Sequence, residues 1–448
     1  MVVQTSHLEP ISICSGLKVI PSANRTWVPL HRPYGPCSSA AGVPSPSLVE
    51  MLRWDQVRTE YVRRKATTGA ADDVLDPETP HVEMMQVDYM IQGSFGIGSG
   101  SGGSMAGDDD DPIILSQKMA IDTTVDVRWI QCLPCPMFQC YPQRNAFYDS
   151  KRSSTAAAVR CGSRACRALG TYGNGCSNKS NNSAGECKYL IEYSDHRETA
   201  GTYMTDTLTI SPGTTFLNFR FGCSHAVRGN FSTQTSGTMS LGAGRQSLLS
   251  QTARAFGNAF SYCVPQPSAS GFLSLGGPVD GGAGASSSSS FATTPLLRNA
   301  NLINPTNYVV RLQGIAVAGR RLNVPPVVFS GGTIMDSSAL VTQLPPPPPT
   351  AYRALRLTFR NALRAYTRRD PMANLDTCYD FMGFTNVTVP TVSLVFQGGA
   401  VVELDPLAVL LDGCLAFTPV ATDFALGFIG NVQQQTHEVL YHVAQGRS

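Results

Sequence analysis

Charge is scarce in this chain of 448 residues. Asp, Glu, Lys and Arg together make up 15 % of it, well under the usual quarter. The two signs almost cancel, 34 basic against 32 acidic, for a net charge of +2. That balance excludes a chain-wide basic footprint for nucleic acid, and it excludes an acidic, solvating chain. No apolar run reaches the roughly 18 residues of a membrane-spanning helix, so no membrane span is expected. The opening MVVQTSHLEPISICSG has no charged segment followed by an apolar one, so no signal peptide is visible in it. Cys132, Cys135 and Cys140 form a C-x2-C-x4-C run, but no second Cys pair or His pair follows at the spacing of a structural zinc site. Neither a metal nor an organic cofactor is therefore expected.

Turn formers and cysteines are plentiful. Gly 41 and Pro 30 against few charges point to many turns and short strands, hence a mainly β protein. There are 13 cysteines, and seven crowd into one window: Cys132, Cys135, Cys140, Cys161, Cys166, Cys176 and Cys187. Sequons stand at Asn24, Asn178, Asn181, Asn230 and Asn386. Together these favour a disulfide-bonded glycoprotein of the secretory route. Eleven of the cysteines follow residue 112, an odd number that leaves room for a free thiol.

Along the chain, Ser47 and Glu50 fit a capping box ahead of LVEMLRWDQVRTEYVRRK. Its Leu48, Leu52, Val57, Tyr61 and Val62 recur near helical spacing. Residues 93–112 read as a Gly/Ser/Asp-rich linker. The Gly98-x-Gly100-x-x-Gly103 within it runs into Asp108–Asp111 and Pro112 rather than a helix start, which excludes a dinucleotide fingerprint. From 113 onward strand patterns are frequent, as in Phe216–Phe221, Tyr308–Leu312 and Val387–Val389. GGAGASSSSS at 281–290 reads as a surface loop. A helix is expected from Ala351, with Tyr352, Leu355, Phe359, Leu363 and Tyr366 as its apolar stripe and Arg353, Arg356, Arg360 and Arg364 on a solvated face. Pro345–Pro349 ends any strand ahead of it.

A short pattern occurs twice. Met119-Ala120-Ile121-Asp122-Thr123-Thr124 returns as Thr333-Ile334-Met335-Asp336-Ser337-Ser338. Each copy sets a hydroxyl residue after an Asp at the end of an apolar strand. Each is followed later by an apolar-apolar-Gly segment, Met239–Gly242 loosely and Phe428-Ile429-Gly430 closely. Two such lobes could bring two carboxyls together in a cleft. Carboxyls that share a site cannot both ionise easily, so the pair holds one proton. The ionised member takes a proton from water, which attacks a peptide carbonyl, and the protonated member stabilises the oxygen.

From about residue 112 onward the chain resembles the pepsin-like aspartic proteases, in their plant nepenthesin-like subgroup. The segments that carry the resemblance are the two Asp motifs, FRFGCSHAVRGNF (219–231), QSLLSQTARAFGNAFSYCVP (246–265), GFLSLGGP (271–278), LDTCYDF (375–381) and GFIGNVQQQTHEVLYHV (427–443). The resemblance implies a bilobal fold of two pseudo-symmetric β lobes with a cleft between them. It divides the chain into a pro-segment-like region 1–92, the linker 93–112, an N-terminal β lobe 113–300 with a Cys-rich insert 132–187, and a C-terminal β lobe 301–448. It implies Asp122 and Asp336 as the catalytic pair, with Thr123 and Ser337 bracing the two loops. Tyr193 corresponds to the flap tyrosine and Trp129 to the tryptophan packed near it. A secreted or vacuolar zymogen acting as a monomer on a peptide or protein substrate is the implied protein.

The motifs depart from the family pattern. Relatives read Asp-Thr-Gly-Ser and Asp-Ser-Gly-Thr, whereas this chain reads Asp122-Thr123-Thr124-Val125 and Asp336-Ser337-Ser338-Ala339. Thr124 and Ser338 replace glycines, and the hydroxyls after them are gone. The flap Gly is Ser194. Acid endopeptidase activity, weakened by these changes, is the expected function. The alternative is an inactive homologue that works as a binding or inhibitor protein, in the manner of plant xylanase inhibitors.

Overall fold

The two Asp segments fold alike. Strand Leu115–Asp122 runs parallel to Gly237–Ser240, with Met239 opposite Ile121 and Ser240 opposite Asp122. Gly237–Ser240 pairs antiparallel with Trp129–Gln131 on its other side. In the second copy Thr333–Met335 runs parallel to Gly427–Ile429, with Ile334 opposite Phe428. There Phe428 meets Gln343 of Thr342–Leu344, again antiparallel. The repeat in sequence is a repeat of topology. Strands paired in parallel are covered on both faces, which is why Met119, Ile121, Ile334 and Phe428 are all fully buried.

The structure is a computed structural model. It describes residues 2–7, 26–34, 45–68, 90–99, 115–136, 139–177, 185–193, 197–265, 271–276, 292–297, 306–345, 351–420 and 426–443. Several expectations lie outside these: linker residues 100–112, the loop 281–290, most of the proline run, Ser194, and the sequons at Asn24, Asn178 and Asn181. Asn230 and Asn386 are exposed. Among the described residues no helix is long and apolar enough to cross a membrane.

One 15-stranded sheet links the two ends of the chain. Within it the neighbours run, in order, Ala292–Pro295, Val2–His7, His437–His442, Ala259–Cys263, Gly271–Leu275, Thr26–His31, Gln92–Ile97 and Leu115–Asp122. The C-terminal half adds separate sheets of five, four and four strands. Part of the N-terminal region is thus a member of the main sheet. Val28 and Leu30 are buried in the same core cluster as Phe95, Met119 and Leu273. Trp27 lies 6.1 Å from Phe272 between ring centres, and Arg32 Nε donates to the Pro265 carbonyl at 2.8 Å.

The stretch read as linker begins differently. Gln92–Ile97 is a strand with Phe95 and Ile97 buried. Its glycine serves close approach rather than flexibility. A Cβ on Gly93 would lie 3.2 Å from Val28 Cγ1 and 3.3 Å from Leu30 Cδ2.

Helix α1, Leu48–Thr68, forms where the capping box placed it. Glu50 N–H donates to Ser47 Oγ at 3.2 Å, and Ser47 N–H donates to Glu50 Oε2 at 2.8 Å. The later helix covers Ala351–Ala362, with Tyr352, Leu355 and Phe359 buried. Its arginine face is not simply solvated. Arg356 Nη1 pairs with Asp376 Oδ2 at 2.5 Å, and Arg360 Nη2 donates to the Asp376 carbonyl at 3.0 Å.

Cysteines cross-link the short-stranded insert. Bonds join Cys135–Cys140, Cys161–Cys176 and Cys166–Cys187 within it, and Cys132–Cys223 ties it to the sheet. Cys378–Cys414 closes the C-terminal lobe. Cys263 is disulfide-bonded as well, so the odd count leaves no free thiol among the described residues. The run at Cys132, Cys135 and Cys140 is spent in disulfides, and no metal-ligating cluster occurs among the described residues.

Leu30→Ala tests whether the N-terminal strand carries load. A buried leucine in a packed core costs about 2–5 kcal/mol when truncated. Urea unfolding should show a loss in that range. A loss well under 1 kcal/mol would mean that the strand does not pack as described.

Candidate active site

Asp122 and Asp336 end their strands in equivalent, buried places, 4 % and 0 % exposed. Thr124 donates twice to Asp122 Oδ1, from its N–H at 2.7 Å and from its hydroxyl at 2.7 Å. Ser338 N–H donates to Asp336 Oδ1 at 2.8 Å. The loops touch through Thr123 and Ser337. Thr123 Oγ1 accepts from Ser337 N–H at 3.1 Å and donates to the Met335 carbonyl at 3.4 Å. The mirror-image bond would join Ser337 Oγ to the Ile121 carbonyl. Ser338 Oγ takes that acceptor instead, at 3.1 Å, and Ser337 Oγ is buried with no partner among the described residues. The brace is therefore made by Thr123 on one side and Ser338 on the other.

A third group joins the pair. Arg58, from the middle of α1, places Nη1 2.7 Å from Asp336 Oδ2 and Nη2 3.0 Å from Asp122 Oδ2. The same Nη2 donates to Thr124 Oγ1 at 3.1 Å. One planar guanidinium thus spans both carboxyls, which shows that they converge. Burial pushes Asp336 above the ordinary carboxyl range, and the Asp122 charge adds to that rise. The Arg58 charge and the Ser338 N–H act against it.

Polar side chains on the buried face of α1 hold Arg58 there. Asp55 accepts from Leu340 N–H at 2.8 Å and from Val341 N–H at 3.4 Å. Thr59 Oγ1 accepts from Gln343 Nε2 at 2.7 Å. Arg63 donates to the Leu426 carbonyl at 3.0 Å and to Gln343 Oε1 at 2.5 Å, and lies over the Phe428 ring. Tyr61 donates to the Glu192 carbonyl at 2.7 Å. Reading the sequence by apolar spacing picked Val57 and Tyr61 and missed Asp55, Arg58 and Arg63. The available signal was a run of charged residues on a helix whose Leu52, Trp54, Val62 and Ala66 are all buried.

Tyr193 and Trp129 do meet. Trp129 Nε1 donates to Tyr193 Oη at 2.8 Å, and both rings pack edge-on against Phe231. The sequence reading did not single out Phe231 or Arg197. The Arg197 guanidinium lies over Tyr193 and Phe231, 5.1 and 4.6 Å from the ring centres. All three line a recess beside Asp122 and Thr124, and Arg58 and Tyr61 lie against it.

Together the repeated strand pairings, the converging carboxyls and the tyrosine beside them define the bilobal pepsin-like class of fold. Comparisons with known proteins agree. Residues 114–277 match the family described as "Xylanase inhibitor N-terminal", and 307–447 match "Xylanase inhibitor C-terminal". An aspartyl protease family protein of Arabidopsis thaliana is 34 % identical, over 99 % of this chain and 91 % of that protein. Nepenthesin-2 of Nepenthes gracilis is 31 % identical over 72 % of this chain and 70 % of its own length. Among solved structures, edgp superposes with a TM-score of 0.58 at 16 % identity, over 95 % of this chain and 96 % of that one. Basic 7S globulin from soybean gives 0.55 at 16 % identity, over 80 % and 92 %. The chain belongs to the plant pepsin-like aspartic protease family, the nepenthesin-like group.

Asp55 yields a prediction about pH. Burial raises its pKa from 3.8 to about 7, against the lowering by the Leu340 and Val341 N–H groups and by Arg58. A carboxyl raised in the folded state favours folding fully below pH 3.8 and loses that contribution as pH rises through 7. Asp55→Asn keeps an acceptor for Leu340 N–H and removes the charge. Its stability relative to wild type should therefore improve between pH 4 and pH 8, by at most about 4 kcal/mol. Urea midpoints at both pH values check this, and an equal difference at the two would refute it.

Proposed function

We propose that the protein is an aspartic endopeptidase held in a zymogen-like state by α1. The observation that carries this reading is the single guanidinium spanning two buried carboxyls at the ends of duplicated strands. Paired carboxyls of this kind bind one water, which neither could activate alone. The ionised member accepts a proton from that water as its oxygen bonds to the peptide carbonyl carbon. The protonated member donates to the carbonyl oxygen, giving a neutral tetrahedral species. Collapse breaks the C–N bond, and the amine leaves with a proton returned from the pair.

Arg58 occupies the place that this water and the scissile bond require. Acid weakens the plug, because the guanidinium loses its counter-charge as the carboxyls take up protons and is left largely buried. The pro-segment role of the N-terminal region follows for α1. The disulfides fit an oxidising compartment, and a secreted or vacuolar site is the matching proposal.

A second reading is favoured by specific observations. Both halves match families described as xylanase inhibitor, and Ser338 makes the brace beside a Ser337 whose hydroxyl has no partner among the described residues. A binding protein on the same scaffold would keep the fold and leave the pair without turnover. Cleavage of an unfolded protein from pH 2 to 7 separates the two. Wild type should cleave at acid pH, and Asp122→Asn and Asp336→Asn should each lose at least about a hundredfold. A folded wild type that cleaves nothing would move the assignment to the binding protein.

The plug has its own test. Arg58→Ala removes the bridge and leaves the pair intact. It should shorten the lag before cleavage on acidification and lessen its dependence on pH. An unchanged lag would show that α1 does not control access.

A further inference from the structure

The two carboxyls are not held alike. Residues 124 and 338 occupy equivalent positions and both carry hydroxyls, yet one hydroxyl alone reaches a carboxyl. Thr124 Oγ1 donates to Asp122 Oδ1 at 2.7 Å, beside its own N–H at 2.7 Å. Ser338 Oγ turns away to the Ile121 carbonyl at 3.1 Å and leaves Asp336 Oδ1 with the N–H alone. The next residues, Val125 and Ala339, have no hydroxyl to add. Thr124 is 9 % exposed, so water competes little for the bond.

We propose that Thr124 is a positioning residue that makes the pair unequal, its hydroxyl holding Asp122 as the ionised partner and leaving the shared proton to Asp336. This rests on the proteolytic reading of the pair and deepens it. A hydroxyl that donates to a carboxylate stabilises the charged form, and a buried bond to a charge is among the stronger ones. The charged and titratable groups facing Asp122 are Arg58 from α1, Asp336 from the opposite loop, and Tyr172, Tyr193 and Arg197 from its own lobe, while Asp55, Tyr262 and Tyr441 face Asp336. The tyrosines are neutral throughout the acid range. Arg58 departs with α1 when the cleft opens, whereas Thr124 stays. Its hydroxyl is therefore a side-chain donor that persists in the working site beside the Thr124 N–H.

The test uses the full chain labelled with 13C at the aspartate carboxyls, with the Asp122 signal identified by Asp122→Asn. Thr124→Val keeps the branched shape and removes the donor, and Thr124→Ser keeps the donor. Each is titrated in the wild-type and the Arg58→Ala backgrounds, so that the hydroxyl is read with and without the guanidinium. In Thr124→Val the Asp122 step should move up by about one to two pH units, and Thr124→Ser should stay near wild type. An unmoved step in Thr124→Val, or an equal move in Thr124→Ser, overturns the proposal. In parallel, the acid limb of kcat/KM after acid treatment should shift upward in Thr124→Val and be restored in Thr124→Ser. If wild type cleaves nothing, the proteolytic reading fails, while the carboxyl titration still decides the role of Thr124.

Discussion

Two buried carboxyls at the ends of equivalent strands are a constraint that the rest of the molecule must satisfy. Such a pair is expensive to keep out of water unless protons or cations share the charge. Here the Thr124 hydroxyl and the backbone N–H groups of Thr124 and Ser338 supply donors, and Arg58 supplies the cation. Each lobe contributes one Asp, so the lobes must keep their register. The contact of Thr123 with Ser337 N–H, and of Ser338 with the Ile121 carbonyl, ties that register across the middle of the fold.

The loss of both glycines from the Asp motifs is absorbed locally. The Cβ groups of Thr124 and Ser338 fit, and their hydroxyls enter the hydrogen bonding around the pair. The outcome differs between lobes because the acceptors in reach differ. Thr124 finds its own Asp122, and Ser338 finds the carbonyl of the opposite strand. A near-symmetric duplication thus yields an asymmetric site. That is a useful property where one carboxyl must hold a proton and its neighbour must not.

The N-terminal region plays two physical roles. Thr26–His31 is built into the main sheet, with Val28 and Leu30 in the core. Helix α1 lies on the cleft and docks through ionisable and polar groups, Asp55, Arg58, Thr59 and Arg63. Apolar packing responds weakly to pH, whereas ionisable contacts respond strongly. The strand is thus suited to stay in place under acid, whereas in the helix two contacts respond in opposite senses: Arg58 loses its counter-charge in acid, and Asp55, raised by burial, favours the docked state there.

Local patterns in the sequence were enough for the mainly β class, the duplication around Asp122 and Asp336, the capping box at Ser47 and Glu50, and the late helix from Ala351. Each is a matter of spacing or of short-range hydrogen bonding, which a window of a few residues contains. Tyr193, Trp129, Thr123 and Ser337 were named by resemblance, and the structure brings each to the pair or to the wall beside it. Other features were decided by tertiary structure alone. Gly93 looked like linker and is a point of close sheet contact, because only the partner strand shows what its missing Cβ avoids. Nothing local marks Arg58, Asp55 and Arg63, because their partners at Asp336, Leu340 and Leu426 lie hundreds of residues away. The sequence determined that this protein would carry two Asp loops with hydroxyls beside them. Tertiary structure alone decided which acceptor each hydroxyl serves and which cation lies between the two carboxyls, because these bonds depend on atoms that only folding brings within hydrogen-bonding distance.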